Sequence, residues 1–294
     1  MSGVSLSSPA RVVYPELGIT KLDLARYYEA VSEWLVPHWR DRPLALLRCP
    51  DDYRRCFFQK HLREDGGDAD IRTVPIREET GVGRYATLDS AAGVISLVQL
   101  GVVEFHTWGC RSDRVEQPDR ITLDLDPDPS IAWKEVVATA QLIRQYLEEL
   151  GLTSFVKTTG GKGLHVVVPI QRRRGWREVH AFSRALAEQL VGVSPARYTL
   201  SAAKARRRGK IFIDYLRNAR GAITVEAYSA RARVSATVAT PLYWDELNGA
   251  QKIDALNVRT VPKRLASLGA DPWQGYATVR QSLNVAMLER VGLS

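Results

Sequence analysis

The sequence has no apolar run that approaches the roughly 18 residues a membrane helix requires. Its N-terminal segment, MSGVSLSSPARVVYP, also lacks the basic and then apolar order of a secretory signal peptide. These two absences predict a cytoplasmic protein with no membrane partner. Internal repeats and low-complexity tracts are missing as well, so the parts of the chain are expected to pack as one globular body.

Cysteine is scarce, and its three positions, Cys49, Cys56 and Cys110, form no CxxC pair. Neither a disulfide framework nor a zinc site is therefore indicated. The sequence predicts three free thiols.

Acidic residues are outnumbered, with 41 Lys plus Arg against 33 Asp plus Glu and a net charge of +8. The excess lies between Gln171 and Val234, where 15 basic and 4 acidic residues give 15 − 4 = +11 and leave 8 − 11 = −3 elsewhere. Such a block is typical of a phosphate-binding surface. It is equally compatible with a solvated surface that happens to be rich in arginine.

The spacing of apolar residues predicts a mixture of helices and strands. We expect a helix over 20–36 and β-like runs at 45–48, 71–75 and 101–106. The second half reads strand, helix, strand, strand, helix, strand, with helices over 131–150 and 176–190 and later strands at 210–215 and 222–227. The prediction is an α+β fold with an N-terminal subdomain over 1–110 and a catalytic subdomain over 111–294.

Two carboxylates alternate with apolar residues in the strand pattern ITLDLDP. Because residues two apart in a strand point the same way, Asp124 and Asp126 share a face, about 6.5 Å apart along the strand. Like charges this close favour a hard divalent ion bound through oxygen, Mg²⁺ or Mn²⁺. Asp214 ends a second apolar strand, KIFID. An acidic turn explains either acid motif taken alone, and only their combination favours a metal site.

A glycine-rich loop lies between two apolar strands in KTTGGKGLHVVVP. It lacks the GxxxxGK[ST] spacing of a P-loop and the helix that follows a dinucleotide-binding loop. Its backbone N–H groups could still bind phosphate, helped by Thr159 and Lys162, although an ordinary hairpin turn explains the loop equally well. His165 alternates with the apolar residues that follow and is expected on the face of the acids.

Arginines flank the last strands of the basic block. Arg207 is the middle one of three arginines just before the strand that carries Asp214, and Arg231 and Arg233 stand two apart in YSARAR. If that last segment stays extended, both guanidinium groups project from one side and suit bidentate contact with a polyphosphate. Metal-dependent nucleotide transfer from a triphosphate would use these parts.

Together these motifs resemble a known family. The runs YPELGITKLDLARYY, CFFQKH, EFHTWG, DRITLDLDPDP, KTTGGKGLHVVVPI, IFIDYLRNARGAITVEAYSARAR and ATPLYWDEL are similar, in this order, to the polymerase domain of bacterial ATP-dependent DNA ligase D, in the archaeo-eukaryotic primase superfamily. The likeness runs from about Val12 to Leu247. It implies a primase-like fold with an antiparallel or mixed catalytic sheet, flanking helices and an N-terminal α/β subdomain.

The resemblance implies a DNA-directed primase-polymerase of bacterial non-homologous end joining. Such an enzyme fills gaps on a template and adds untemplated nucleotides to 3′ ends, using two Mn²⁺ (or Mg²⁺) ions and preferring ribonucleotides. The implied partners are gapped or broken duplex DNA with a 5′ phosphate, NTPs or dNTPs, Ku, and a ligase domain or protein. The implied location is the cytoplasm, in association with the nucleoid.

The resemblance also gives roles to individual residues. It assigns metal binding and catalysis to Asp124, Asp126 and Asp214. It assigns the nucleotide to Thr159, Lys162, His165, Arg207, Arg231, Arg233 and His106, and to Phe57 and Phe58, one of which stacks on the base. Lys21 and Arg11 would recognise the 5′ phosphate. Without the resemblance, core packing explains the two phenylalanines, and the solvated first turn of a helix explains Lys21.

Two other functions are compatible with the same residues. A two-metal nuclease or phosphodiesterase would use the acids in the reverse sense and would need no nucleoside triphosphate. A non-catalytic DNA-end-binding module would rely on the basic block, and its binding would be indifferent to divalent metal. Nick sealing is not expected, since the string nearest to a ligase KxDG motif, KIDA from Lys252, lacks the glycine.

Overall fold

The computed structural model describes residues 1–62, 71–248 and 253–293, so Lys252 lies outside the described residues. The chain divides into two compact units. Unit 1 consists of Met1–Val115, Ile223–Thr240 and Asp254–Asp271, and unit 2 of Glu116–Ala222, Pro241–Ile253 and Pro272–Ser294. No helix in the described ranges is long and apolar enough to cross a membrane.

The elements follow the chain in this order. The strands are β1 (Val12–Tyr14), β2 (Ile19–Thr20), β3 (Leu44–Arg48), β4 (Phe57–Gln59), β5 (Arg72–Glu78), β6 (Gly81–Thr87), β7 (Val102–Trp108), β8 (Arg120–Pro127), β9 (Phe155–Thr158), β10 (Leu164–Pro169), β11 (Tyr198–Thr199), β12 (Ile211–Asp214), β13 (Ile223–Val225) and β14 (Pro241–Leu242). The helices are α1 (Lys21–Ala30), α2 (Ser32–Trp39), α3 (Ala91–Gln99), α4 (Trp133–Glu149), α5 (Trp176–Val193), α6 (Val261–Ser267) and α7 (Val285–Arg290).

Unit 1 is built on an antiparallel sheet in the order β13-β7-β3-β6-β5, with β4 paired to β3. The division predicted at residue 110 therefore differs from the observed one. Strand β13 comes late in the sequence, but its backbone pairs with β7, which returns this part of the chain to unit 1. The expectation that both parts pack as one body stays a prediction.

The predicted helix over 20–36 is two helices, α1 and α2. Thr20 caps α1 because its side chain accepts the backbone N–H of Asp23, whose carboxylate in turn accepts the N–H of Thr20. The helical path stops at Val31, where ψ is 6°. Apolar periodicity continues through this break because both helices bury the same kind of side chain, so the sequence pattern does not reveal it.

A disulfide joins Cys49 and Cys56, so the prediction of three free thiols is wrong for these two residues. Antiparallel pairing of β3 with β4 places Arg48 opposite Phe57, and the two cysteines come directly after and before these residues. Their Cα atoms lie 4.2 Å apart. Cys110 is a buried free thiol, as predicted.

Unit 2 is built on a mixed sheet in the order β11-β12-β8-β10-β9-β14. Only β11 and β12 run parallel, and the other neighbours are antiparallel. Helices α4 and α5 pack against this sheet. The prediction of an α+β fold with a mixed sheet is confirmed, but the strand predicted at 222–227 belongs to the sheet of unit 1.

Where β12 ends, the side chain of Asn218 provides hydrogen bonds to the backbone of the neighbouring strand β8. The buried Asn218 accepts the backbone N–H of Thr122 at 2.7 Å and donates its amide to the Thr122 carbonyl at 2.8 Å. A third bond, from the same amide to the carbonyl of Tyr215 at 2.9 Å, holds the side chain in place. Asn218 thus supplies the pairing that a longer strand would have made with its backbone.

We expect Asn218→Ala to lower the free energy of unfolding by about 3 kcal/mol, because it leaves a buried N–H and a buried C=O of Thr122 without these partners. Urea unfolding monitored by circular dichroism measures the change. Leu216→Ala is the control, since this side chain in the same turn is 40% exposed and should cost less than about 1 kcal/mol. Equal effects of the two substitutions would contradict the role given to Asn218.

Candidate functional site

Four polar residues form a row across the sheet of unit 2. Strand pairing sets Asp214 opposite Asp124, Asp124 opposite His165, and His165 opposite Lys157. Directly opposed residues of antiparallel strands point to the same face, and Asp126 joins them two positions further along β8. His165 therefore lies on the face of the acids, as its alternation in the sequence predicted.

One guanidinium group bridges two of the acids. The Nε of Arg217 lies 3.0 Å from Oδ2 of Asp214 and 3.4 Å from Oδ2 of Asp124. The other oxygen of Asp124, Oδ1, lies 3.5 Å from Nε2 of His165. Asp124 is thus held between a cation on one side and an imidazole on the other.

The third acid, Asp126, is half-exposed and pairs with Arg207. Nη1 of Arg207 donates to Oδ2 of Asp126 at 2.7 Å, while its Nε and Nη2 donate to the carbonyls of Ser201 and Ala202. The guanidinium also stacks on Phe212, with its carbon 3.9 Å from the ring centroid. Contact between Arg207 and a triphosphate stays a prediction.

The acids perturb one another's titration. Burial, reinforced by the charge of Asp124, raises the pKa of both Asp126 and Asp214. Burial also opposes ionisation of Asp124, but the neighbouring His165, Arg217 and Lys157 outweigh it and lower the pKa of that carboxyl. The raised pKa of two of the three carboxyls indicates that nearby cations do not fully neutralise the negative charge of this cluster.

His165 is neutral at pH 7. Burial, followed by the charge of Lys157, lowers its pKa to about 4. Its Nδ1 is buried and has no hydrogen-bond partner among the described residues. The imidazole is therefore a fixed, uncharged polar group beside Asp124.

The donor set suits a hard divalent cation. Carboxylate oxygens on one face are the ligands that Mg²⁺ and Mn²⁺ prefer. In the described part of the chain no three His, Cys, Asp or Glu side chains are yet grouped closely enough to hold a metal. The carboxylate oxygens of Asp124, Asp126 and Asp214 face the guanidinium groups of two arginines instead. These oxygens are nevertheless chemically suited to bind such an ion.

The glycine-rich loop is closed by Thr159. Its hydroxyl accepts the backbone N–H groups of Gly161 and Gly163, at 3.2 and 3.3 Å. Gly163 passes so close to β8 that an added Cβ would lie 2.2 Å from the carbonyl oxygen of Leu125, so no larger residue fits there. Lys162 is exposed on this loop.

The remaining nucleotide-binding candidates lie in unit 1. Phe57 and Phe58 on β4 are 49% and 53% exposed, so core packing does not explain them. The Phe58 ring contacts the ring of His106 edge-on at 5.1 Å. Oε2 of the buried Glu104 lies 2.9 Å from Nε2 of His106 and 2.9 Å from Nε of Arg231.

Arg231 and Arg233 do not continue an extended segment. The chain turns after Arg231, because the N–H of Arg233 donates to the Arg231 carbonyl and the N–H of Ala236 donates to the Arg233 carbonyl, both at 2.8 Å. Glu104 holds the Arg231 side chain, while Arg233 is exposed. The condition for two guanidinium groups projecting from one side is therefore not met.

Two further cations of unit 1, Lys21 and Arg11, bind neutral oxygens. The buried Lys21 ammonium donates to the carbonyl of Ser7 at 2.9 Å and to the side-chain oxygen of Gln99 at 2.7 Å. Arg11 donates to the carbonyl of Cys49 at 3.1 Å. Burial, followed by the charge of Arg11, lowers the pKa of Lys21. A solvated first helical turn is thus not the environment of Lys21.

Several residues of the site were not predicted. Lys157 interrupts an apolar strand just before the loop, Arg217 follows Asp214 by three residues, and Glu104 precedes His106 by two. Each spacing was visible in the sequence. Their significance depends on cross-strand register and burial, which the sequence alone does not give.

Comparison with known proteins identifies relatives along almost the whole chain. The family model "LigD, primase-polymerase domain" matches residues 20–273. The multifunctional non-homologous end joining protein LigD of Pseudomonas aeruginosa is 41% identical over 293 residues, covering 99% of this chain and 35% of that protein. Its namesake in Mycolicibacterium smegmatis is 30% identical, covering 83% and 32%. The chain thus spans about a third of the length of these relatives.

A solved structure is also similar. It is the polymerase domain of Mycobacterium tuberculosis ligase D in complex with DNA, with a TM-score of 0.87 and 28% sequence identity. The match covers 94% of this chain and 99% of that one. The similarity confirms the predicted primase-like fold.

We expect Glu104→Gln to destabilise the protein by about 3 kcal/mol at pH 7. Burial alone would raise the pKa of Glu104, but the hydrogen bond to His106 and the charge of Arg231 lower it to about 2, from an ordinary value of 4.5. The unfolded state therefore binds the proton more tightly, so this stabilisation is complete above pH 4.5 and is lost as the pH falls towards 2.

Urea unfolding of the wild type and the variant between pH 7 and pH 3.5 measures this effect. The difference between their free energies of unfolding should be largest at neutral pH and should narrow below pH 4.5. Glu149→Gln, on an exposed side chain at the end of α4, is the control. A difference that stays constant over this range would show that the carboxylate charge of Glu104 is not responsible.

Proposed function

The chain belongs to the LigD primase-polymerase family, whose members are nucleotidyltransferase-type polymerases, and we propose that it extends DNA ends in non-homologous end joining. The proposed reaction is templated filling of gaps and untemplated addition to 3′ ends, with Mn²⁺ as the metal and ribonucleotides as the preferred substrates. Because the chain spans about a third of its relatives, the activities of those whole proteins are part of this proposal.

The row of Asp214, Asp124 and His165 on one sheet face is the observation that carries the proposal. Phosphoryl transfer needs carboxylates that can hold divalent ions, and it needs fixed polar groups near them. The phosphate-binding candidates of the glycine-rich loop come immediately before His165 in the same unit. Three crowded acids, two of them with raised pKa values, are typical of a catalytic or metal-binding site.

Each group of the chain has a proposed task. Asp124, Asp126 and Asp214 would hold two divalent ions, which when bound stabilise the attacking and leaving oxygens of the transfer. His165, Thr159 and Lys162, with Arg207, would bind the triphosphate and oppose the charge that develops on it. In unit 1, Phe57 or Phe58 would stack on a nucleobase, and His106, Arg231 and Arg233 would contact the nucleotide.

Lys21 and Arg11 are proposed to bind a 5′ phosphate. Both cations are partly or wholly buried and donate to carbonyl or amide oxygens, and burial lowers the pKa of each. A phosphate would supply the negative charge that such a pair favours. The partners proposed are gapped or broken duplex DNA, Ku, and a ligase domain or protein, and the proposed location is the cytoplasm in association with the nucleoid.

A gapped duplex with a labelled 3′ end and a 5′ phosphate across the gap tests the proposal. The protein is incubated with Mn²⁺ and either ribo- or deoxyribonucleoside triphosphates, and product length is read on a gel. Extension, greater with ribonucleotides, is the expected result. Shortening of the strand would favour a two-metal nuclease, and an unchanged but retained strand would favour a DNA-end-binding module.

We expect Asp124→Asn to reduce the rate of addition by about 100-fold or more, because the substitution keeps the shape of the side chain and removes a charge that the metal ions require. Single-turnover extension under the conditions above measures the rate, and circular dichroism checks the fold. Asp128→Asn is the matched control, since this acid follows the end of β8 and bonds Ser130. Comparable losses in both variants would contradict the assignment.

A further inference from the structure

Arg217 occupies a position that the proposed roles do not use. It lies in a single helical turn, Leu216–Asn218, directly after the strand that ends in Asp214. The bonds of Asn218 to Thr122 fasten the backbone of this turn to β8. The Arg217 side chain is 40% exposed, while its Nε, the nitrogen nearest the acids, is buried.

The carboxylate oxygens of Asp124 and Asp214 are all in contact with polar groups. Oδ1 of Asp214 accepts the backbone N–H of Leu216 at 2.9 Å, and Oδ1 of Asp124 faces His165. The two Oδ2 atoms both face Nε of Arg217, at 3.0 and 3.4 Å. An ion bound by both acids would need oxygens that this one nitrogen already engages.

We propose that Arg217 is a positioning residue that holds the carboxylates of Asp124 and Asp214 together and competes with a divalent ion for their Oδ2 atoms. This inference rests on the proposed metal-dependent function. Arginine does not lose its proton in proteins, so the competition is resolved by movement of the side chain and not by its titration. Until an ion binds, the guanidinium offsets the repulsion between the two acids.

Competition with the metal and a purely structural role predict opposite changes in metal affinity when Arg217 is replaced. Removing the positive charge should leave the acids more available, so the affinity for a divalent ion should rise although the protein without metal becomes less stable. A residue that merely supported the fold would lower both quantities. The two outcomes are therefore separated by measuring metal affinity together with stability.

The experiment titrates Mn²⁺ alone into the full chain, without nucleotide or DNA, and follows free Mn²⁺ by electron paramagnetic resonance. We expect Arg217→Gln to lower the Kd for Mn²⁺ by about tenfold, since a nearby unit charge no longer opposes the ion. The melting temperature without metal should fall, and the rise caused by Mn²⁺ should be larger than in the wild type.

Arg220→Gln is the matched control. Arg220 follows Arg217 by three residues and pairs with Glu116, from whose carboxylate oxygens its nitrogens lie 2.7–3.0 Å away. Its substitution should leave the Kd for Mn²⁺ unchanged. Arg217→Lys is a second test that retains the charge; an ammonium cannot reproduce the guanidinium contacts, so its Kd should lie between those of the wild type and Arg217→Gln.

Unchanged or weaker Mn²⁺ binding in Arg217→Gln would overturn the inference, and the same result in Arg217→Lys would do so if the glutamine variant did not fold. Asp124→Asn separates this failure from failure of the proposed function. If Asp124→Asn loses Mn²⁺ binding, the ion binds at the acids. Failure of the Arg217 variants would then contradict only the role given to Arg217. If the wild type bound no Mn²⁺, or Asp124→Asn bound it normally, the metal assignment and this inference would both be wrong.

Discussion

Crowding of like charges at the centre of one sheet is the constraint on which the site depends. Strand β8 lies between β12 and β10, and this places Asp124 directly between Asp214 and His165. Burial and mutual repulsion raise the pKa of Asp126 and Asp214. The fold must therefore supply positive charge to these acids, either from its own arginines or from a bound cation.

The arginines meet this need in different ways. Arg207 is fixed by two carbonyls, a carboxylate and an aromatic ring, so moving it would break several contacts at once. Arg217 makes its charge contacts from a half-exposed side chain on an anchored turn. The acids of this site therefore have counter-charges from the protein itself. Asn218 supports this arrangement, because its bonds to Thr122 complete β8 two residues before Asp124.

Unit 1 also contains a buried carboxylate that requires positive or hydrogen-bonding partners. Glu104 is almost wholly buried, and its charge is satisfied by His106, Arg231 and the backbone N–H of Ala232. This network orients two of the side chains that the family resemblance assigns to the nucleotide. The exposed Phe57 and Phe58 lie on the strand that follows the Cys49–Cys56 disulfide, so their presentation depends on the closed loop before them.

The sequence by itself determined the α+β class, most strands and helices, the shared face of Asp124 and Asp126, and the family. These follow from local periodicity and from motifs, which are properties of neighbouring residues. Tertiary structure alone decided which strands pair. It placed Asp214, His165 and Lys157 in one row, returned β13 to unit 1, turned the chain after Arg231 and joined two cysteines. Register and long-range pairing depend on contacts between distant segments, and no local pattern encodes which of them meet.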